Sequence, residues 1–238
     1  MQMAQFFYLP VAPVFFFVLV AVCVLVLAFC LIRRAYLQLG LTPAQAMFLL
    51  IGSLIGSFIN IPVTVISTNS VTADQMVEFY GMSYPIPPAT DWGGTVLAIN
   101  VGGAIIPVVM AVFLLIRWRL WSAGLLATAV VAAICYWFSS PIPGMGIAVP
   151  VFIPAIAATV LALLLSRQSA APLAYIAGSL GALIGGDLLN YGKLADLGAP
   201  ILSLGGAGTF DAVFLTGVIA VLITGISSRW QGTKPATS

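Results

Sequence analysis

Residues 11–34 read VAPVFFFVLVAVCVLVLAFCLIRR, an unbroken apolar run from Val11 to Ile32 closed by Arg33 and Arg34. A helix needs about 20 such residues, at about 1.5 Å each, to cross the ~30 Å hydrocarbon core of a bilayer. A secretory leader carries its positive charge before a shorter apolar core and small residues after it. Here the charge follows the core, so the run reads as a retained first span. The rest of the chain has the same character. Of 238 residues, 62% are hydrophobic and 6% charged, and the mean hydropathy is +1.17; soluble domains carry roughly 25% charged residues. A chain this poor in polar groups cannot cover itself in water, and lipid is the solvent it implies.

Walking outward from the first run gives apolar segments near 11–32, 43–66, 94–116, 121–138, 146–166, 172–189 and 206–226. The expected fold is therefore an all-α polytopic transmembrane bundle, a single integral membrane domain over 1–238 with about seven spans. Alternating the spans across the bilayer puts Arg33, Arg34, Arg117, Arg119, Arg167, Arg229 and Lys234 on one face, and Lys193 on the other. Basic residues collect on the cytoplasmic side, so the N-terminus is expected outside and the C-terminus inside, in a plasma (inner) membrane. Asp74, Glu78, Asp91 and Asp196 fall in outer connections. Trp118, Trp121 and Trp230 fall at the inner interface, and Trp92 and Trp137 at the outer one, as an aromatic belt would place them. The longest connection, 67–93, is outer; its Tyr80-Gly-Met-Ser-Tyr-Pro-Ile-Pro-Pro stretch is too polar and proline-broken to span, and reads as a lid or as a loop resting on headgroups.

Several chemistries are poorly supported. The chain has no His, and Cys23, Cys30 and Cys135 lie inside apolar runs without ligand spacing, so no metal or haem cofactor is expected. The basic residues are dispersed and the net charge is only +2, so nucleic acid is not an expected partner. The bilayer itself is, with a small solute or cation, other membrane subunits or further copies of the chain as the remaining expectations.

Matched elements recur in order. Pro10-Val-Ala-Pro13 opens span one and Pro150-Val-Phe-Ile-Pro154 span five. Spans two and six begin at Pro43 and Pro172 and run into Gly52-Ser-Leu54 and Gly178-Ser-Leu180. Spans three and seven carry Val101-Gly-Gly-Ala104 and Leu204-Gly-Gly-Ala207. The pattern suggests a 3+1+3 parallel repeat, a plan found in transporters, although short matches of common membrane residues also arise by chance.

Polar residues inside a membrane are costly and mark function more often than elsewhere. Asn60, Asn100, Asp187, Asn190 and Asp211 all fall in the expected outer half. Ser53, Gly56, Ser57, Asn60 and Thr64 share one face if span two is a continuous helix; helix packing is the plainer reading for the serines. Asn100 precedes Gly102-Gly103 and Pro107, where freed carbonyls and an amide would serve equally as a ligand cradle or a packed kink. Asp211 at a helix start is favoured by the dipole. Asp187, near a helix C-terminus, needs a proton, a cation or a donor, and Lys193 is the nearest basic candidate.

Together Asn60-Ile-Pro62, Asn100-Val-Gly-Gly-Ala104, Gly146-Ile-Ala-Val-Pro150, Gly185-Gly-Asp-Leu-Leu-Asn190 and Gly205-Gly-Ala-Gly-Thr-Phe-Asp211 resemble a family of bacterial and archaeal membrane proteins labelled domain of unknown function 1614. The resemblance runs from about Gly40 to Thr224 and implies a membrane fold without an activity. A weaker similarity is to intramembrane aspartyl proteases of the presenilin and prepilin-peptidase type. It implies Asp187 and Asp211 as a catalytic dyad, although Thr209 and Phe210 separate Asp211 from its glycines and no Pro-Ala-Leu follows.

Three functions remain open. The leading one is a small-solute or cation carrier binding through Asn60, Asn100, Asp187 and Asn190, with Asp211 moving a proton or cation. The second is an aspartyl protease using Asp187 and Asp211, and the third a non-catalytic accessory subunit of a larger membrane complex.

Overall fold

Span two does not continue as a helix. Its first half is α2, Pro43–Gly56, opened by a capping box in which the Thr42 hydroxyl accepts from the Gln45 amide and the Gln45 side chain accepts from the Thr42 amide. Three residues later the chain becomes a strand, β1, Asn60–Ile66. Pro62 is the reason: it has no N–H for the helix ladder, clashes with the carbonyl four residues back and drives Ile61 into extended backbone. The β-branched run Ile61, Val63, Thr64, Val65, Ile66 then suits a strand. The 14 residues of α2 reach only about 21 Å as a helix, short of the ~30 Å of a hydrocarbon core.

The computed structural model describes residues 11–66, 76–79, 82–85, 95–142, 146–194, 201–206 and 212–231. Before α2 runs α1, Val11–Gln38, longer than the expected first span. After β1 come a hairpin of β2, Met76–Phe79, and β3, Met82–Pro85, inside the long outer connection, then β4, Thr95–Asn100. A π-helical turn, Val101–Ile105, leads from β4 into α3, Ile106–Trp118. Next are α4, Trp121–Phe138, and a short hairpin of β5, Ser140–Ile142, and β6, Gly146–Ala148. The chain ends with α5, Phe152–Leu165; α6, Ala170–Ala182, running into a second π-helical segment, Leu183–Leu188; α7, Tyr191–Leu194; β7, Ile201–Leu204; and α8, Ala212–Gln231.

The all-α expectation therefore needs correcting. The protein is mostly helical, but the second half of span two, the start of span three and the start of span five are strands. β4 is central in a three-stranded sheet, pairing antiparallel with β1 and parallel with β7. Among the described residues four helical stretches are long and apolar enough to cross a membrane: Leu19–Gln38, Val101–Trp118, Trp121–Phe138 and Ala170–Lys193. Pro43–Gly56, Phe152–Leu165 and Val213–Gly225 are shorter apolar helices. The chain is built for membrane insertion.

The core forms around α6, whose residues Pro172–Ser179 are all buried. Without a hydrophobic drive between helices in lipid, close approach requires small side chains at the contacts. Ala170, Ala174, Ala177, Gly178, Gly181 and Ala182 supply them on α6, and Ala155, Ala158 and Ala162 on the facing α5. On the other side Tyr36, Leu39, Leu50, Leu114, Tyr175 and Val221 fill the space between α1, α2, α3, α6 and α8. The last turns of α1 join this core, while Leu19 to Leu31 are exposed throughout.

Candidate functional site

Arg34, Arg117 and Arg167 lie at one end of the helices, and Asn60, Asn100, Asp187 and Asn190, with Lys193, at the other. Arg117 donates to the Gly40 carbonyl at 3.4 Å, beside Arg34 and Arg167 at the near end. At the far end, β1, β4 and β7 bring Asn60, Asn100 and Ser203 together. Asn60 is the cross-strand partner of Asn100, and Asn100 Nδ2 donates to Asn60 Oδ1 at 3.0 Å. Ser203 Oγ donates to the same oxygen at 2.6 Å. The expected helical face of span two thus breaks apart, with Ser53, Gly56 and Ser57 on α2 and Asn60 and Thr64 on the strand.

Asn100 is almost fully buried, and all its hydrogen-bonding capacity in view is directed into the protein. Its extended backbone (φ −76, ψ 131) makes it the N-cap of the π-helical turn, and its Oδ1 accepts from the Gly103 amide at 2.7 Å. Besides Asn60, its Nδ2 donates to the Ser57 carbonyl at 2.7 Å. Its buried amide thus ties α2, β1 and α3 together. Pro107 explains the turn: in π spacing its missing N–H would have served Gly102, whose carbonyl instead accepts from Ser53 Oγ at 2.6 Å. Gly102 must be glycine, because a Cβ there would overlap the Ser53 carbonyl and the Ser57 amide. The freed carbonyl expected near Asn100 is thereby occupied, and the kink is packed.

Asp187 lies in the second π-helical segment, half-buried, and its Oδ2 accepts from the Gly205 amide at 2.8 Å. Gly205 takes a left-handed backbone (φ +82) at the turn that ends β7, and a Cβ there would meet the Ala104 backbone. Its geometry therefore depends on glycine. Ser203 and Gly205 carry the two halves of the cluster on one strand end: the Asn60–Asn100 pair through one, the Asp187 carboxylate through the other.

Asn190 does not join this group. Three positions after Asp187, it would share that residue's face on an unbroken α-helix, but the π-helical segment ends the ladder first. Asn190 Nδ2 donates to the Gly185 and Gly186 carbonyls, both at 3.0 Å, and to Ser139 Oγ at 2.8 Å. It closes the helix end and ties it to α4. Lys193, expected beside Asp187, donates to Asn190 Oδ1 at 2.9 Å and sits 5.0 Å from the Tyr136 ring centroid. Asp211 lies outside the described residues, as do Asp74, Asp91, Trp92, Asp196 and Lys234. Among the described residues no group of His, Cys, Asp and Glu is arranged to hold a metal ion.

Ser203 was missed at the sequence level, where 190–205 read as a plain outer connection. The alternation of Ile201-Leu202-Ser203-Leu204 is its one local signal, a brief strand pattern.

Residues 54–223 match the family described as "Protein of unknown function (DUF1614)". The chain belongs to this family. The match takes in both π-helical segments, the three-stranded sheet and every residue of the cluster. No curated protein matches the chain, and no solved structure does.

Proposed function

We propose that this DUF1614 protein is a small membrane carrier for a polar solute or cation, with Asp187 as its ionisable group and the exposed Asn60 amide at its mouth. One observation carries the reading: the Asn60, Asn100 and Ser203 side chains bond to one another across β1, β4 and β7, one bond joining residues 143 positions apart, and the Asp187 carboxylate bonds to the Gly205 amide at the end of the same β7. Non-helical backbone at membrane depth is tolerated where it is buried in protein or lines a water-filled cavity, and π-helical segments concentrate at functional sites. Asn100 and Asn190 act as scaffold in this reading, because their amides are already engaged. Seven crossings with an outer N-terminus and a cytoplasmic C-terminus place the cluster toward the outside. The parallel pairing of β4 with β7 supports the 3+1+3 repeat, since the strands leading to the two Gly-Gly-Ala segments run side by side in one direction.

Uptake by proteoliposomes tests the proposal, read with an internal pH dye and with radiolabelled sodium, sugars and amino acids. Asp187→Asn keeps an oxygen for the Gly205 amide but removes the charge, so the protein folds and flux falls to that of protein-free vesicles. A wild type that moves none of these solutes, or flux unchanged in both Asp187→Asn and Asn60→Ala, removes the carrier reading. No described contact favours the protease alternative, whose second carboxylate would be Asp211.

A further inference from the structure

At the end of the helices remote from the cluster, α1, α6 and α8 line an open cavity of about 390 Å³, within the range of about 300–1,000 Å³ usual for ligand pockets. Arg34 enters it from α1 and Arg167 from the α5–α6 connection. Among the described residues neither guanidinium has a hydrogen-bond or ion-pair partner, and none of those lining the cavity is acidic. Two cations therefore face one cavity without a counter-charge. Leu37, Gln38, Trp118 and Gly225 also belong to its wall. The first turn of α6 opens on the same space with its Ala170 and Ala171 amides, and Ser169 makes no side-chain cap; such amides favour an anion.

We infer that this cavity holds the headgroup of an anionic phospholipid, its phosphate between Arg34 and Arg167. The chemistry of two arginines and a helix start suits any phosphate. The surroundings select the lipid-borne one. Leu31 and Leu27 lie three and seven positions before Arg34 on the same face of α1 and are 41% and 60% exposed. They form an apolar track for an acyl chain leading away from the arginines. A basic pocket between transmembrane helices is the setting in which lipid headgroups are recognised.

Native mass spectrometry of the purified protein released from a neutral detergent tests this, with phosphatidylglycerol, phosphatidylcholine and inorganic phosphate offered separately. Phosphatidylglycerol is expected to be retained about tenfold to thirtyfold over phosphatidylcholine, as two basic contacts of about 1 kcal/mol each allow. In Arg34→Gln/Arg167→Gln that preference falls to near unity, while Arg33→Gln, whose side chain does not line the cavity, keeps it. Equal retention of the two lipids by the wild type overturns the assignment even if the double variant does not fold. Undiminished preference in a folded double variant overturns it too. Inorganic phosphate binding as tightly as phosphatidylglycerol would make the site one for a free anion and overturn the lipid assignment.

Discussion

Replacing Asn100 by alanine separates a structural amide from a ligand-binding one. The change removes the N-cap bond to the Gly103 amide at 2.7 Å and the two bonds donated to the Ser57 carbonyl and Asn60 Oδ1 at 2.7 and 3.0 Å. Loss of an Asn cap costs about 1 kcal/mol. Side-chain hydrogen bonds inside membrane proteins average about 0.6 kcal/mol, rising to about 1–3 kcal/mol when a buried partner is left unsatisfied. The sum is about 2–4 kcal/mol for Asn100→Ala. Asn60→Ala deletes an exposed side chain and leaves Asn100 with its cap and its Ser57 bond, so it costs about 1 kcal/mol. Asn100→Asp keeps an acceptor for Gly103 and recovers the cap portion only. The assay is reversible unfolding in mixed micelles with a rising fraction of dodecyl sulfate, followed by far-ultraviolet circular dichroism. If Asn100→Ala unfolds no earlier than Asn60→Ala, or loses flux at full stability, Asn100 is a ligand and its scaffold role is refuted.

Gly102→Ala forces a Cβ against the Ser53 carbonyl and the Ser57 amide; destabilisation of about 1–3 kcal/mol is expected in the same unfolding assay, whereas Gly192→Ala, with nothing within 4 Å, changes little. Cys135 is fully buried and Cys23 and Cys30 are exposed along α1, so once mild detergent replaces the bilayer a small maleimide labels Cys23 and Cys30 ahead of Cys135, which reacts only after denaturation; mass spectrometry of the labelled peptides checks it.

The apolar segments were legible because spanning helices announce themselves by hydropathy alone. α4 occupies the expected 121–138, and the other helices, apart from the short α7 in the connection after 189, fall within or across their expected runs. The strands were not legible in the same way, because Val and Ile are as apolar in a strand as in a helix, and a short apolar run cannot be divided by hydropathy. Pro62 with its β-branched neighbours was the available local signal for β1. Asn100 directly before two glycines and an apolar helix carried the signature of an N-cap. The Ser203–Asn60 bond had no such trace: residues 143 positions apart meet only because β4 accepts β1 on one edge and β7 on the other. Asn190 shows how a π-helical segment defeats spacing arguments, since the i+3 relation to Asp187 holds only for unbroken α-helix.

The parallel pairing of β4 with β7 has a consequence for how the chain is made. β4 ends at Asn100 and β7 begins at Ile201, so nearly half the polypeptide must leave the ribosome between the two partners. Synthesis runs at about 5–20 residues per second, N-terminal parts first. The β1–β4 pair therefore spends seconds with one edge of β4 unsatisfied, in a setting where exposed strand edges are not tolerated in lipid. During that interval the half-made sheet must remain at the water interface or under the care of the insertion machinery. Arrival of β7, with Ser203 and the Gly205 turn, lets the strands settle against the helices. The polar cluster is accordingly among the last parts of the molecule to assemble, and a chain stalled before residue 201 carries all of β1 and β4 but no site.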